Sequence, residues 1–373
     1  MSNNVWTNEF NPFNSWKLLC WYDHMQAIAS GQFMPPVNIA LDVIQGSKDR
    51  KLCGGLRCNF CMSDLEDKSE EARIPRDLLF GMPRFFKEWG TYSLCLAGHH
   101  SDTLAYNHED LIEFLRLSNK NGIEIGFVSN GKLLTEYIIP DIVRNCKWTG
   151  FSINAGTPKT YMKITGSVLD TFNRTMDSIS RMTDYCKEFR LNHPICFKFL
   201  ITDDNYMEIL DAVRVARNIG CRYIQIRPCE LPEFRSDKID TRLVDDQLHE
   251  ALSYEIPGKF EVFGIREKFT ANFKKKMPYK CVASPLGSTW KANGDIVICP
   301  DRRWSAHLPD MVMGNFITEG LEAIRRKWGG PEHLRMIKAA NADMSNCIRC
   351  TSYQWNEIYR NTVESDPLDV KLI

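Results

Sequence analysis

The chain lacks a net charge: 47 lysines and arginines balance 47 aspartates and glutamates over 373 residues. No global field therefore draws it to nucleic acid or to an anionic membrane. It also lacks any window approaching the roughly 20 apolar residues of a membrane span. Its start, Met1 to Phe10, has neither the basic n-region nor the apolar core of a secretory signal. These absences lead us to expect a soluble, cytoplasmic protein with no membrane partner. The length suits one large domain with a smaller companion, or an α/β barrel with an extension.

Cysteine is plentiful. Fourteen of them would imply disulfides in a small secreted protein, but in a long cytosolic-looking chain they more often serve metal or redox chemistry. Cys53, Cys58, Cys61, Cys281, Cys299, Cys347 and Cys350 fall in clusters or at motif spacing. Cys20, Cys95, Cys146, Cys186, Cys196, Cys221 and Cys229 are scattered among apolar neighbours and are expected to be small buried hydrophobes.

The stretch Cys53-Gly-Gly-Leu-Arg-Cys58-Asn-Phe-Cys61 follows an apolar run from Pro36 to Ile44. Three thiols in one short loop after a strand can converge on one soft metal centre. An iron-sulfur cube is normally held by four thiolates, so three leave one iron open to a substrate or cofactor.

Downstream the chain alternates helical and strand patterns. Helices are expected near Trp16 to Ala29, Asp77 to Trp89, His108 to Asn121, Thr135 to Asn145, Leu169 to Phe189 and Asn205 to Asn218. Strands are expected at Pro36 to Ile44, Ser93 to Gly98, Glu124 to Gly131, Trp148 to Gly156, Ile195 to Ile201 and Cys221 to Pro228. Short apolar strands separated by amphipathic helices indicate right-handed βαβ units and a parallel sheet. Six units fall short of the eight of a closed barrel. A partial barrel with its active site at the C-terminal strand ends fits better, and the three-cysteine loop lies at that edge.

These residues resemble the radical S-adenosylmethionine (SAM) enzymes with a C-terminal SPASM/twitch-type extension, from about Pro36 to Asn356. The family's loop is Cys-x3-Cys-x2-Cys with an aromatic residue before the last cysteine, the place of Phe60. Here four residues separate Cys53 from Cys58, and Gly54 and Gly55 are expected to absorb the extra one. The resemblance implies an α/β fold: a partial (β/α)6 barrel of the radical SAM type over residues 36–265, plus a small twitch/SPASM-like hairpin-helix domain over 266–373. Residues 1–35 would form an N-terminal extension.

The resemblance also assigns cofactor contacts. The usual Gly-Gly-Glu after strand two is absent; the turn reads Leu96-Ala-Gly98-His-His-Ser-Asp102, with Asp102 the stand-in for the acid. His99 and His100 are expected to be solvated loop residues. Ser129-Asn130-Gly131 looks like the ribose-contacting turn. The segment from Phe151 through Ser152 and Asn154 to Pro158, with Tyr161 and Gly166, is similar to the Ser-Ile-Asp-Ala-Gly segment, with Asn154 in place of the Asp. Lys198 would face a cofactor carboxylate or solvent. Gln225 and Arg227 lie in the adenine-contact region. No catalytic acid or base is identified.

Cys281, twelve residues, Gly294, four residues and Cys299 resemble the opening of a SPASM/twitch extension, with a hairpin turned at Asn293-Gly294. A helix from Glu319 to Trp328 and the pair Cys347-Ile-Arg-Cys350 follow. Four thiols complete one auxiliary cube, the shorter twitch pattern; a structural zinc is the competing occupant. The implied cofactors are two [4Fe-4S] clusters and SAM, with an external electron donor of flavodoxin or ferredoxin type. The implied reaction is reductive cleavage of SAM to a 5′-deoxyadenosyl radical, followed by hydrogen abstraction from a substrate carbon. The substrate would be a peptide or amino-acid-containing molecule undergoing oxidation, rearrangement or cross-linking. With about 35 residues before the barrel, a partner protein would present a peptide. A sugar alcohol or modified nucleotide is the alternative, and a zinc-stabilised binding module the non-enzymatic one.

Overall fold

The computed structural model describes residues 15–65, 70–229, 238–264, 280–282, 284–342, 344, 347 and 350–364. The expected domain boundary at 265/266 and the first 14 residues of the N-terminal extension lie outside them.

Seven strands run parallel in chain order across one sheet: β1 (Asn38–Leu41), β4 (Ser93–Leu96), β5 (Glu124–Ser129), β6 (Trp148–Ser152), β7 (Ile195–Ile201), β8 (Tyr223–Pro228) and β9 (Glu261–Gly264). A two-stranded ribbon, β2 (Ile44–Gln45) with β3 (Ala72–Arg73), follows β1. Helices α1 (Tyr22–Ala29), α2 (Arg76–Trp89), α3 (His108–Lys120), α4 (Ile139–Asn145), α5 (Pro158–Thr165), α6 (Asp170–Glu188), α7 (Ile209–Asn218) and α8 (Thr241–Leu252) occupy the first part of the chain. The α/β class with a mostly parallel sheet is as the alternation implied. Strand β9 is an addition to the six expected.

The strands read apolar because both faces are covered. Leu41, Leu94, Leu96, Ile125, Phe127, Phe151, Phe197, Phe199, Ile224 and Ile226 are all buried in one core. Helix α3 shows the matching periodicity: Leu111, Phe114, Leu115 and Ser118 face inward, and the Asn107 side chain caps its start by accepting from the Asp110 N–H at 3.0 Å. Helix α4 begins four residues later than the pattern suggested, with Pro140 in its first turn, where its missing N–H costs nothing.

The C-terminal region continues the same sheet. Strand β10 (Gly287–Trp290) pairs in parallel with the free edge of β1, and β11 (Asp295–Val297) and β12 (Val312–Asn315) follow antiparallel. The hairpin falls where expected, but Lys291 N–H donates to Asp295 O and Gly294 N–H to Lys291 O, so its loop is longer than two residues. Helices α9 (Leu321–Lys327), α10 (Pro331–Ala342) and α11 (Tyr353–Tyr359) complete the described chain.

Five of the scattered cysteines, Cys146, Cys186, Cys196, Cys221 and Cys229, are buried as expected and Cys95 is half-buried; Cys20 is exposed, which corrects its expected burial. It sits on a short 3-10 turn, Ser15–Trp21, that directs only Leu18 inward.

Candidate active site

Strand β1 and the ribbon deliver the chain into a loop wound by its own backbone. Cys53 N–H and Gly55 N–H both donate to the Arg50 carbonyl, at 3.0 and 2.9 Å. Gly54 and Gly55 take φ of +67° and +78°, the left-handed region that accommodates the extra residue between the first two cysteines. Further on, Arg57 N–H donates to Thr165 O at 2.7 Å and Asn59 N–H to Ile164 O at 3.0 Å. The last carbonyls of α5, which no helical N–H can satisfy, thus clamp the segment carrying Cys58.

The three thiols open onto one cavity of about 340 Å³ at the C-terminal ends of the strands. Successive strand ends supply its walls: Gly98 and Asp102 after β4, Ser129 and Asn130 at β5, Ser152 and Asn154 at β6, Lys198 on β7 and Arg227 on β8. Phe60 lines it as well. Gln225, Gly131, Tyr161 and Gly166 do not reach the cavity wall; Gln225 pairs in register with Lys198 inside the sheet.

Asp102 ties the wall together. Ser129 Oγ donates to its two carboxylate oxygens at 3.0 and 2.9 Å, and Asn130 N–H at 2.6 Å. Leu104 N–H adds a third donor at 3.0 Å, and Asn130 Nδ2 reaches on to Cys53 O at 3.2 Å. The turns after β4 and β5 and the cysteine loop are therefore one hydrogen-bonded unit. Gly98 is required beside it, since a Cβ there would stand 1.8 Å from Ser101 O. Asn154 holds φ +60°, a conformation asparagine tolerates, while its Oδ1 accepts from Leu200 N–H at 2.8 Å.

His99 and His100 are both buried rather than solvated, which corrects the expectation for them. Gly46 N–H donates to His99 O, and His100 Nε2 lies 3.3 Å from Asp64 Oδ1, so the pair is packed beneath the cysteine loop.

Four contributors carried no sequence signal. Arg50, itself at φ +65°, donates through Nη1 to Cys61 Sγ at 3.0 Å and pairs with Asp64. Arg303, from the C-terminal region, reaches the same cavity, with Nη1 3.2 Å from Gly98 O and 3.4 Å from Asp42, a fully buried carboxylate just past β1.

Burial pushes the Cys58 thiol up to about 12, with Cys61 adding to the rise. Cys53 is raised too, by burial and then by Asp102 and Cys61. Cys53 and Cys58 therefore carry their protons at neutral pH, and a metal must displace those protons to bind.

The late cysteines also converge. Burial raises the Cys299 thiol well above its ordinary value, and Asp301, Cys281, Cys347 and Cys350 each add to the rise. Cys281 N–H donates to Asn341 Oδ1 and Val282 N–H to Asn356 Oδ1, both at 2.7 Å, fixing Cys281 between α10 and α11. The donor chemistry, all thiols at both places, fits iron-sulfur clusters, and the four late thiols also fit a structural zinc.

The fold is that of the radical SAM enzymes. SuiB from Streptococcus suis, solved with S-adenosylmethionine, shares it at a TM-score of 0.58 and 15% identity, over 82% of this chain and 69% of that one. SuiB with the precursor peptide SuiA gives 0.61 and 14%, over 92% and 75%. Native anSMEcpe with AdoMet and the Cp18Cys peptide gives 0.57 and 11%, over 87% and 96%. No protein-family model matches the chain, and no curated protein does. Among the described residues no helix is long and apolar enough to cross a membrane.

Proposed function

We propose that this chain is a radical SAM enzyme acting on a peptide or amino-acid-containing substrate. Cys53, Cys58 and Cys61 would hold one [4Fe-4S] cluster with an iron left for SAM, and Cys281, Cys299, Cys347 and Cys350 a second. When bound, these groups supply one-electron cleavage of SAM and a carbon-centred radical that takes hydrogen from the substrate. An external flavodoxin- or ferredoxin-type protein would deliver the electron. Residues 36–265 would carry the SAM site and 266–373 the auxiliary centre.

The observation that carries this reading is the single cavity into which three thiols and the ends of five successive strands open. Its residues have defined tasks. The Lys198 ammonium, half-buried on the wall, suits a carboxylate. Ser129 and Asn130 are held rigid by Asp102, so their remaining hydrogen-bonding capacity is preorganised for a sugar hydroxyl. Gly98 keeps the wall thin where its carbonyl meets Arg303. Peptide substrates are favoured because SuiB and anSMEcpe, which share the fold, are solved with peptides bound.

Anaerobic reconstitution with iron and sulfide, followed by dithionite and SAM, tests the proposal. Brown protein that releases 5′-deoxyadenosine supports it. Colourless protein holding zinc, with SAM left intact, overturns it in favour of a binding module.

A further inference from the structure

We infer that Arg302 is a positioning residue that sets the reduction potential of the auxiliary centre. The inference rests on the reading that the late cysteines hold an iron-sulfur cluster. The Arg302 side chain is 1% exposed, and its terminal nitrogens aim at sulfur: Nη1 donates to Cys347 Sγ at 3.2 Å and Nη2 to Met311 Sδ at 3.8 Å. Its backbone N–H donates to the Cys299 carbonyl at 3.2 Å. One residue thus holds one ligand position through the main chain and a second through the side chain. The neighbouring Asp301 accepts from Thr351 N–H at 2.7 Å, next to Cys350. Two consecutive residues thus bond to two of the four cysteines and to the neighbour of a third.

A guanidinium does not lose its proton in a protein, so burying it is costly unless a negative charge is close. Thiolates on a cluster supply that charge, and reduction adds one more electron to it. A fixed cation and an N–H donor at the ligand sulfur stabilise the reduced state more than the oxidised one, which raises the potential. The early triad carries the same device. Arg50 is 4% exposed and donates to Cys61 Sγ at 3.0 Å, with Asp64 sharing its charge. An arginine at each thiol group argues against a packing accident at either.

The test uses the full chain, reconstituted anaerobically, with redox titration followed by electron paramagnetic resonance and with iron and sulfide counted. In Arg302→Met the auxiliary midpoint moves to a more negative potential while the midpoint of the early centre stays put. Arg302→Lys keeps the charge but not the planar donor geometry and moves it less, in the same direction. An unchanged auxiliary midpoint in Arg302→Met, with both centres loaded, overturns the inference. Should the methionine variant fail to fold, an unchanged midpoint in the lysine variant overturns it. Wild-type chain that binds about four irons in place of about eight, with none at the late cysteines, overturns the underlying reading as well.

Discussion

A thiol lost from the early triad and one lost from the late group have different expected costs. Cys58→Ala removes one of the three thiols that line the cavity and, on the proposed function, should abolish 5′-deoxyadenosine release. Cys347→Ala should spare part of that release and block turnover of the substrate; equal loss in both refutes the division of labour. Gly98→Ala forces a Cβ against Ser101 O and disturbs the Asp102 network one turn away. We expect about 2 kcal/mol or more of lost stability and weaker SAM binding, read by thermal melting and calorimetry. The cysteines and the Ser129-Asn130 turn were legible because local spacing encodes them. Arg50, Asp64, Asp42 and Arg303 were not: Arg303 meets Gly98 from 205 positions away, and no periodicity reports such a contact.

Among the elements, α5 does the least visible and most consequential work. Thr157 caps its start by accepting from Thr160 N–H, Pro158 opens it, and its final carbonyls hold Arg57 and Asn59. Thr157→Ala should cost about 1 kcal/mol and let the helix fray. The expected sign of this is faster loss of iron from the early centre under chelator, with the late centre unaffected. The sequence pattern revealed the long barrel helices because their apolar faces repeat over several turns. It did not reveal α5 or β9, since eight and four residues are too few to establish a period against polar and β-branched neighbours. Nor could it show β10 lying parallel to β1, because strand neighbours far apart in sequence leave no local trace.

At the scale of the molecule, two buried histidines in distant regions make stability depend on pH. His193, bonded to Cys146 O and Thr149 Oγ1, is lowered by burial to about 4, and His333, beside Ser284, to about 3. Both are neutral in the fold and titrate near 6.5 once unfolded, so their contribution is complete above that pH and is lost as pH falls toward about 4 and 3. By pH 5 the loss is about 2 kcal/mol for each. Denaturant midpoints at pH 7.5 and 5 measure it, and replacing both by glutamine should flatten the difference. The pairing of β10 with β1 has a further consequence. The tail seals what would otherwise be a raw margin of backbone donors and acceptors, so it cannot be exchanged for a relative's like a detachable cartridge. A graft would succeed only if it brought a complementary strand along with its cysteines.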